Sequence, residues 1–296
     1  MTRKNAPIAA SPAATLVGLG AILLWSVLAP LTASAGAIPP FELAALTFSV
    51  GGGFGLVYAI WRGRLAALIQ PWPVRAVGVG GLFGYHALYF AALNRAPPAE
   101  ASLINYLWPL LIVLFSALLP GERLEGRHLV GAALGLAGAA TLFVGKAGGF
   151  TASAIDPRVL SGYALALACA FVWSSYSVLS RRLKGAPTEA VAGFCLATAA
   201  LAAICHYAFE TDVAPAGPAQ WAAIVGLGLG PVGLAFYVWD YGVKHGDIRL
   251  LGVAAYAAPV LSTLILVAAG FAPATLSLGL ACALIVGGAL VATRRG

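Results

Sequence analysis

Charged side chains are scarce in this sequence. Asp, Glu, Lys and Arg make up 9% of its 296 residues, whereas soluble domains carry about 25% charged residues. Apolar side chains are abundant instead: they account for 61% of the chain and give it a mean hydropathy of +0.92. Because a soluble domain needs a polar and charged surface to face water, this composition excludes that class and predicts an integral membrane protein.

Long polar intervals are also missing, since apolar runs of about 20 residues follow one another along almost the whole chain. Each run is long enough to cross a hydrocarbon core of about 30 Å as a helix that rises about 1.5 Å per residue. The runs are continuously apolar instead of alternating, which excludes a β-barrel. We therefore predict an all-α membrane protein with ten transmembrane helices, over residues 14–35, 41–60, 74–93, 99–119, 128–146, 160–180, 188–208, 219–241, 250–270 and 275–293.

Cysteines and catalytic motifs are equally sparse. The four cysteines lie inside predicted spans without C-x-x-C spacing, so they are expected to be small buried residues and not disulfides or metal ligands. The sequence contains no G-x-S-x-G, H-E-x-x-H or D-x-x-D pattern and no G-x-x-x-x-G-K-[ST] phosphate-binding loop. We expect no enzymatic activity, no cofactor, no metal and no ATP site.

The basic residues indicate an orientation. With the N-terminus on the cytoplasmic side, only Arg95, Lys146 and Arg158 of the 17 Lys and Arg lie outside. Because cytoplasmic loops carry an excess of Lys and Arg, we predict cytoplasmic N- and C-termini in a multi-pass protein of the inner (plasma) membrane. The net charge of +7 then reflects topology and not a nucleic-acid partner. The expected partners are the lipid bilayer and a small-molecule substrate, and the sequence is compatible with a monomer.

The chain repeats itself about halfway. ILLWSVLAPL over 22–31 aligns with AFVWSSYSVL over 170–179, and NYLWPLL over 105–111 aligns with AYAAPVL over 255–261. Each half holds five spans, and an odd number makes the second half enter the membrane from the opposite side. Such inverted repeats are the layout of many secondary transporters, whose substrate sites lie near the bilayer midplane. The predicted organisation is an N-terminal tail, a first repeat, an external linker, a second repeat and a C-terminal tail, over residues 1–13, 14–146, 147–159, 160–293 and 294–296.

The residues from Ala92 to Phe143 carry a more specific pattern: a short turn, the run A-E-A-S-L, a proline within the span, a G-E-R-L loop and a glycine-rich helix. This region resembles the EamA domain of the drug/metabolite transporter (DMT) superfamily, and residues 241–293 are similar to it in weaker form. The resemblance implies ten helices, cytoplasmic termini and export of small metabolites by alternating access. Within the superfamily, the chain length and the aromatic third and fourth spans are most similar to the YddG-type exporters of aromatic amino acids.

Polar aromatic side chains occur at mid-depth in four predicted spans. The interfacial belt of Trp and Tyr does not explain residues so far from the membrane surfaces, and a buried Tyr, His or Asn requires a hydrogen-bond partner. We predict that these residues line a substrate cavity between the halves; the alternative for each is a satisfied network between helices. The candidate substrate-binding residues are Tyr85, His86, Tyr89, Asn105, Tyr106, Trp108, Trp173, Tyr176 and Tyr256.

Fixed charge is missing from the centres of the predicted spans. Glu42, Glu189 and Asp240 fall near span ends, and no Lys or Arg falls near a centre. Charged residues inside a membrane usually mark the pathway of an ion or a charged substrate. A site without fixed charge therefore suits a substrate that is neutral overall, such as a zwitterion. Pro109 and Pro259, near the centres of spans four and nine, are predicted to be helix hinges, with rigid kinks as the alternative.

The predicted function is a secondary transporter that exports small neutral or zwitterionic metabolites, above all amino acids with aromatic or bulky apolar side chains. The alternatives are a broader multidrug or metabolite exporter of the same superfamily and a channel. His86 is the titratable side chain at a span centre that changes charge near neutral pH, so it would carry the proton in a proton-coupled exporter. We favour a uniporter, in which His86 is a neutral hydrogen-bond donor.

Overall fold

The computed structural model describes residues 10–120, 124–147, 156–268, 270 and 273–294. Within these ranges every regular element is a helix, which confirms the predicted all-α class. The predicted tails 1–13 and 294–296, the linker 147–159 and the G-E-R-L loop at 121–124 lie wholly or partly outside the described residues.

The helices follow the predicted spans closely. Among the described residues, eight helical segments are long and apolar enough to cross a membrane. Span four corresponds to the shorter apolar segment Glu100–Ser116 and span five to a 22-residue helix, so the chain is a multi-pass membrane protein. The helices are α1 (Pro12–Ser26), α2 (Leu28–Ala35), α3 (Pro40–Trp61), α4 (Trp72–Leu93), α5 (Pro98–Asn105), α6 (Trp108–Ser116), α7 (Gly126–Ala147), α8 (Pro157–Arg182), α9 (Ala190–Phe209), α10 (Pro218–Leu229), α11 (Ala235–His245), α12 (Ile248–Ala254), α13 (Ala257–Ala268) and α14 (Leu276–Thr293).

The sequence supplies caps where many of these helices begin. The side chains of Ser11, Asp156, Asp247 and Thr275 each accept a backbone N–H from the first turn of the helix that follows. Proline stands in the first turn of α1, α3, α4, α5, α8 and α10, where its missing N–H costs nothing. Local chemistry therefore fixes the ends of the spans, and packing between spans fixes the rest.

Helices from the two halves of the chain pack against each other in pairs: α3 with α9, α7 with α14, α4 with α8 and α1 with α11. The α3 and α9 pair is antiparallel, because Gly52 lies against Leu196 whereas Gly55, one turn later, lies against Ala192. These two helices correspond to the second span of each predicted repeat. Their opposite direction is what an inverted repeat predicts.

Glycine permits the closest approach of α7 and α14. A Cβ atom added at Gly288 would lie 2.6 Å from the carbonyl oxygen of Gly131, and one added at Gly131 would lie equally close to the carbonyl oxygen of Gly288. Since lipid tails are as apolar as Leu, helices in a bilayer associate by close packing, which small residues allow. The two backbones are in direct contact here, with no space for a side chain.

We expect Gly288→Ala to lower the free energy of unfolding by about 1–3 kcal/mol, because the added methyl group forces the α7 and α14 backbones apart. The neighbouring Gly287 faces open space, so Gly287→Ala should be neutral or slightly stabilising, as Ala is the better helix former. Thermal unfolding of both purified variants in detergent measures the difference. Equal melting temperatures would contradict the close backbone contact.

Candidate functional site

Four helix interruptions meet in the middle of the molecule. The helix α1 gives way to α2 at Val27, α5 to α6 at residues 106–107 and α12 to α13 at residues 255–256, while Gly230–Leu234 form a π-helical turn between α10 and α11. A proline lies at or just after each interruption, and its missing N–H leaves a carbonyl of the preceding turn without a helical partner. The four prolines are Pro30, Pro109, Pro231 and Pro259. That Pro109 and Pro259 act as hinges stays a prediction.

Side chains from the opposite half of the chain bind the backbone carbonyls at these interruptions. Trp25 Nε1–H donates to the carbonyl oxygen of Pro231 at 3.1 Å, and Ser174 Oγ–H donates to that of Trp108 at 2.9 Å. Irregular backbone at membrane depth is tolerated only where protein or a wet cavity satisfies its polar groups. These two hydrogen bonds connect the halves of the chain beside the interruptions.

A cavity of about 290 Å³ lies among these interruptions. Within the described parts of the chain, no charged side chain lines it. Its walls contain seven of the nine predicted site residues and one of the two predicted hinges, namely Tyr85, His86, Tyr89, Asn105, Tyr106, Trp108, Trp173 and Pro259. Residues that were selected from the sequence by depth and polarity are therefore brought together in space.

Four indole rings form one end of the cavity. This tryptophan cluster consists of Trp25, Trp108, Trp173 and Trp239, and every pair of its rings has centroids between 5.1 and 6.4 Å apart. The first three rings line the cavity, and Trp239 lies fully buried beneath them with its Nε1–H donating to Ser177 Oγ at 3.1 Å. Aromatic pairs contribute about 0.5–1.5 kcal/mol each beyond area burial, so the cluster forms a rigid aromatic wall.

Polar groups occupy the side of the cavity formed by α4 and α5. Asn105 Nδ2–H donates to the Tyr85 hydroxyl at 3.0 Å, and the hydroxyls of Tyr89 and Ser102 share a hydrogen bond of 2.8 Å. Asn105 is 2% exposed, yet its Oδ1 atom has no hydrogen-bond partner among the described residues. Because a buried polar group without a partner costs about 1–3 kcal/mol, this amide is poised to bind a further polar group.

His86 lies in an aromatic environment beside these groups. Its Nδ1 atom is 2.7 Å from the carbonyl oxygen of Leu82, and since a carbonyl only accepts, Nδ1 must carry the hydrogen. The rings of Phe48 and Tyr85 lie 5.0 and 5.2 Å away, centroid to centroid. No carboxylate of the described residues forms a hydrogen bond or ion pair with His86, so a neutral ring with Nε2 as an acceptor fits its surroundings.

Two predicted site residues, Tyr176 and Tyr256, do not line the cavity. Tyr256 is fully buried, its ring packs against Gly135, and its hydroxyl accepts the backbone N–H of Leu110 at 3.2 Å. Tyr176 is 2% exposed and its ring packs behind that of Trp173, at 5.3 Å between centroids. Both residues lie in helical or turn structure within the predicted spans, but the sequence does not reveal which side of the helix each side chain occupies.

Several lining residues were not predicted. Trp25 aligns with Trp173 in the internal repeat, so the repeat itself carried the signal that could have identified it. Phe236 and the small or aliphatic residues carry no signal in the sequence that separates them from other apolar positions. The unpredicted lining residues are Trp25, Leu28, Ala29, Pro231, Val232, Phe236, Ala258, Ser262, Thr263 and Leu266.

The helices α1 and α11 are in direct contact at the end of the bundle away from the cavity, where a Cβ atom added at Gly242 would lie 2.5 Å from Gly18 Cα. Arg181, in the last turn of α8, donates from Nη1 to the carbonyl oxygens of Val243 at 2.9 Å and Gly246 at 2.7 Å. These bonds hold the C-terminal end of α11 in place.

A buried ion pair lies at the same end of the bundle. Lys244 Nζ is 2.8 Å from Asp240 Oδ2 and also donates to the carbonyl oxygen of Ala186 at 2.9 Å, while Thr188 Oγ1–H donates to Asp240 Oδ2 at 2.9 Å. Asp240 does lie near the end of a span, but α11 continues to His245 and so buries Lys244 to 5% exposure. Breaking such a pair leaves an uncompensated buried charge, so the pair fixes the position of α11 against Ala186 and Thr188.

The chain matches the model of the EamA-like transporter family twice, over residues 12–144 and 160–294. It is 62% identical over 281 residues to the aromatic amino acid exporter YddG of Ancylobacter novellus, covering 95% of this chain and 96% of that one. It is 27% identical to the aromatic amino acid exporter YddG of Escherichia coli strain K12, over 96% of this chain and 98% of that one. A crystal structure of a protein with 61% identity is similar with a TM-score of 0.91, over 95% of this chain and 96% of that one.

We expect Tyr256→Phe to lower the free energy of unfolding by about 1–3 kcal/mol, because the Leu110 N–H loses its buried acceptor. Tyr241→Phe is the matched control, since the Tyr241 side chain is exposed. Thermal unfolding of the two variants in detergent measures the effect. If both variants melt together with the unaltered protein, the hydroxyl of Tyr256 does not have this structural role.

Proposed function

Because the chain belongs to the EamA-like transporter family, we propose that it exports aromatic amino acids through the cavity between its two halves. Membership makes the chain a transporter of a small molecule and not an enzyme. The observation that carries the proposal is the gathering of seven predicted residues around one uncharged cavity with aromatic walls. The YddG exporters of two bacteria, similar to this chain over nearly its whole length, support the same class of substrate.

The size of the cavity favours an amino acid over a large drug. Its volume of about 290 Å³ lies near the lower end of the range of about 300–1,000 Å³ for small-molecule pockets. An aromatic side chain can pack edge-to-face on the rings of Trp25, Trp108 and Trp173, an arrangement that aromatic pairs prefer. Leucine or methionine would fill the same space without that additional attraction, so broad specificity with a preference for aromatic rings is expected.

The polar end of a zwitterion also has suitable partners. The Oδ1 atom of Asn105, which has no partner among the described residues, can accept a hydrogen bond from the ammonium group, and the hydroxyls of Tyr85 and Tyr89, which lie on the same side, can donate to the carboxylate group. The first residues of α2 and α13 lie at the cavity, and helix N-termini carry a partial positive charge that favours an anion. Such partners suit a substrate whose two charges cancel.

Transport would proceed by alternating access between inverted repeats. The cavity extends from the tryptophan cluster toward Leu28, Tyr89 and Leu266, in the direction of the ends of α2, α4 and α13, while the contact of α1 with α11 closes the other end. With cytoplasmic termini in an inner membrane, this arrangement is an outward-open state. Inward opening would separate Gly18 from Gly242 and bend the helices at Pro109 and Pro259.

Counterflow in proteoliposomes tests the proposed substrate. Labelled L-phenylalanine should exchange saturably and be competed by L-tryptophan and L-tyrosine but not by glucose or choline.

Variants of the cavity test the proposed contacts. Trp108→Ala should abolish or shift this exchange. Asn105→Leu should raise the half-saturating concentration about 10- to 100-fold, because one hydrogen bond to a charged group is lost. Asn94→Leu, at an exposed position after α4, is the control. Equal competition by bulky drugs, or unsaturable conductance, would favour the broader exporter or the channel.

We further expect export without proton coupling, because His86 donates from Nδ1 to a carbonyl oxygen and has aromatic neighbours in place of an acidic partner. An imposed pH gradient should leave the exchange rate of the unaltered protein unchanged. His86→Asn keeps an amide donor without a titratable group and should retain counterflow. The uniporter is wrong if the gradient drives export and His86→Asn loses that response while it keeps exchange.

A further inference from the structure

A second group of ionisable side chains lies away from the cavity, at the end of the bundle where α3 begins and α9 ends. This acid–histidine cluster consists of Glu42 in the first turn of α3, His206 in the last turn of α9, and Glu210 and Asp212 in the segment that follows. Glu42 and His206 are only 8% and 5% exposed. The cluster is separate from the residues of the proposed transport cavity.

Glu210 holds His206 in one orientation. Its two carboxylate oxygens accept the backbone N–H groups of Phe41 at 2.9 Å and Glu42 at 3.1 Å, which caps α3. His206 Nδ1 lies 3.1 Å from Glu210 Oε2, and because a carboxylate only accepts, Nδ1 carries a hydrogen. The lone pair of a neutral His206 is then on Nε2, which lies on the side away from Glu210.

The Nε2 atom faces further acceptors. Asp212 Oδ1 lies 3.6 Å from it, which is longer than a hydrogen bond, and one donor atom each from Glu42, His206 and Asp212 lie within 4.8 Å of one another. Zinc binds nitrogen and oxygen at about 2.0–2.2 Å, so its ligand atoms are about 3.3–3.6 Å apart in a tetrahedral site. Small side-chain rotations would bring the three ligands to that separation, and Asp212 is exposed enough to turn.

The cluster also has no Lys or Arg to balance its three carboxylates among the described residues. In the part of the chain that the structure describes, no Lys or Arg forms an ion pair with Glu42, Glu210 or Asp212; their charged or polar partners are His206 and backbone N–H groups. Three carboxylates around one imidazole repel each other, more strongly where they are removed from water, and the imidazole can supply at most one positive charge against three negative ones. A bound cation would relieve that repulsion.

We propose that Glu42, His206 and Asp212 bind a divalent transition-metal ion of the zinc class. One imidazole nitrogen, two carboxylates and an open position for water form a common zinc ligand set. Glu210 then has the outer position that a carboxylate takes on the second nitrogen of a metal-binding histidine, where it fixes the orientation of the ring. The ion would enter past the exposed Asp212 and would tie the start of α3 to the segment after α9.

Zinc titration of the purified full chain in detergent, after removal of metal by a chelator, tests the proposal. We expect one equivalent of Zn²⁺ to bind and to raise the melting temperature. Asp212→Asn, at an exposed position that the fold does not need, should weaken zinc binding at least about tenfold. His206→Gln should do the same, whereas His245→Gln, an exposed histidine at the end of α11, should bind zinc as the unaltered protein does.

The proposal is overturned if no stoichiometric zinc binding occurs, as expected if His206 is instead doubly protonated between Glu210 and Asp212. It is equally overturned if Asp212→Asn and His206→Gln bind zinc with unchanged affinity. Because the titration contains no amino acid, its failure would leave the proposed transport function intact. Failure of counterflow would in turn leave the zinc site intact.

Discussion

The hydrocarbon core of a membrane offers no water to backbone groups, so every N–H and C=O that a broken helix releases must be bonded within the protein. Two hydrogen bonds between the halves of the molecule lie beside its helix interruptions: Trp25 binds the carbonyl of Pro231, and Ser174 binds that of Trp108. The cavity exists because these interruptions meet at one depth. A continuous helix would occupy the space of the cavity and would have no irregular backbone beside it.

The absence of water in the hydrocarbon core also disfavours charged side chains beside the cavity. Polar and aromatic side chains line the cavity without a charged group among the described residues, whereas the buried Asp240–Lys244 pair lies at the end of the bundle where α1 meets α11. The acid–histidine cluster lies at the start of α3, remote from that pair along the antiparallel helices. Transport in this arrangement would require the α1–α11 contact and the ion pair near it to loosen, while the aromatic wall keeps its shape around the substrate.

The fold was predictable because helix length, continuous apolarity and capping are local properties, and every predicted span coincides with helical structure. The position of a residue along its helix is also read from the sequence, which is why Tyr85 and Asn105 were expected to lie near each other, as they do. The direction in which a side chain points depends on the neighbouring helices. The sequence therefore could not distinguish Tyr256, whose hydroxyl accepts a backbone N–H, from the residues that line the cavity. The burial of Lys244 was missed because it depends on how far α11 extends. The cluster around His206 was missed because Glu42 is distant from it in sequence.

The central claim is that an aromatic amino acid binds against the tryptophan cluster, and indole fluorescence reports on that contact most directly. L-phenylalanine emits little at indole wavelengths, so its titration into the purified protein isolates the response of the protein's own tryptophans. The account predicts a saturable change in emission that L-tyrosine competes for and glucose does not, and that is lost when Trp25, Trp108 and Trp173 are replaced by Phe. No saturable change, or one that persists in the replaced protein, would contradict it.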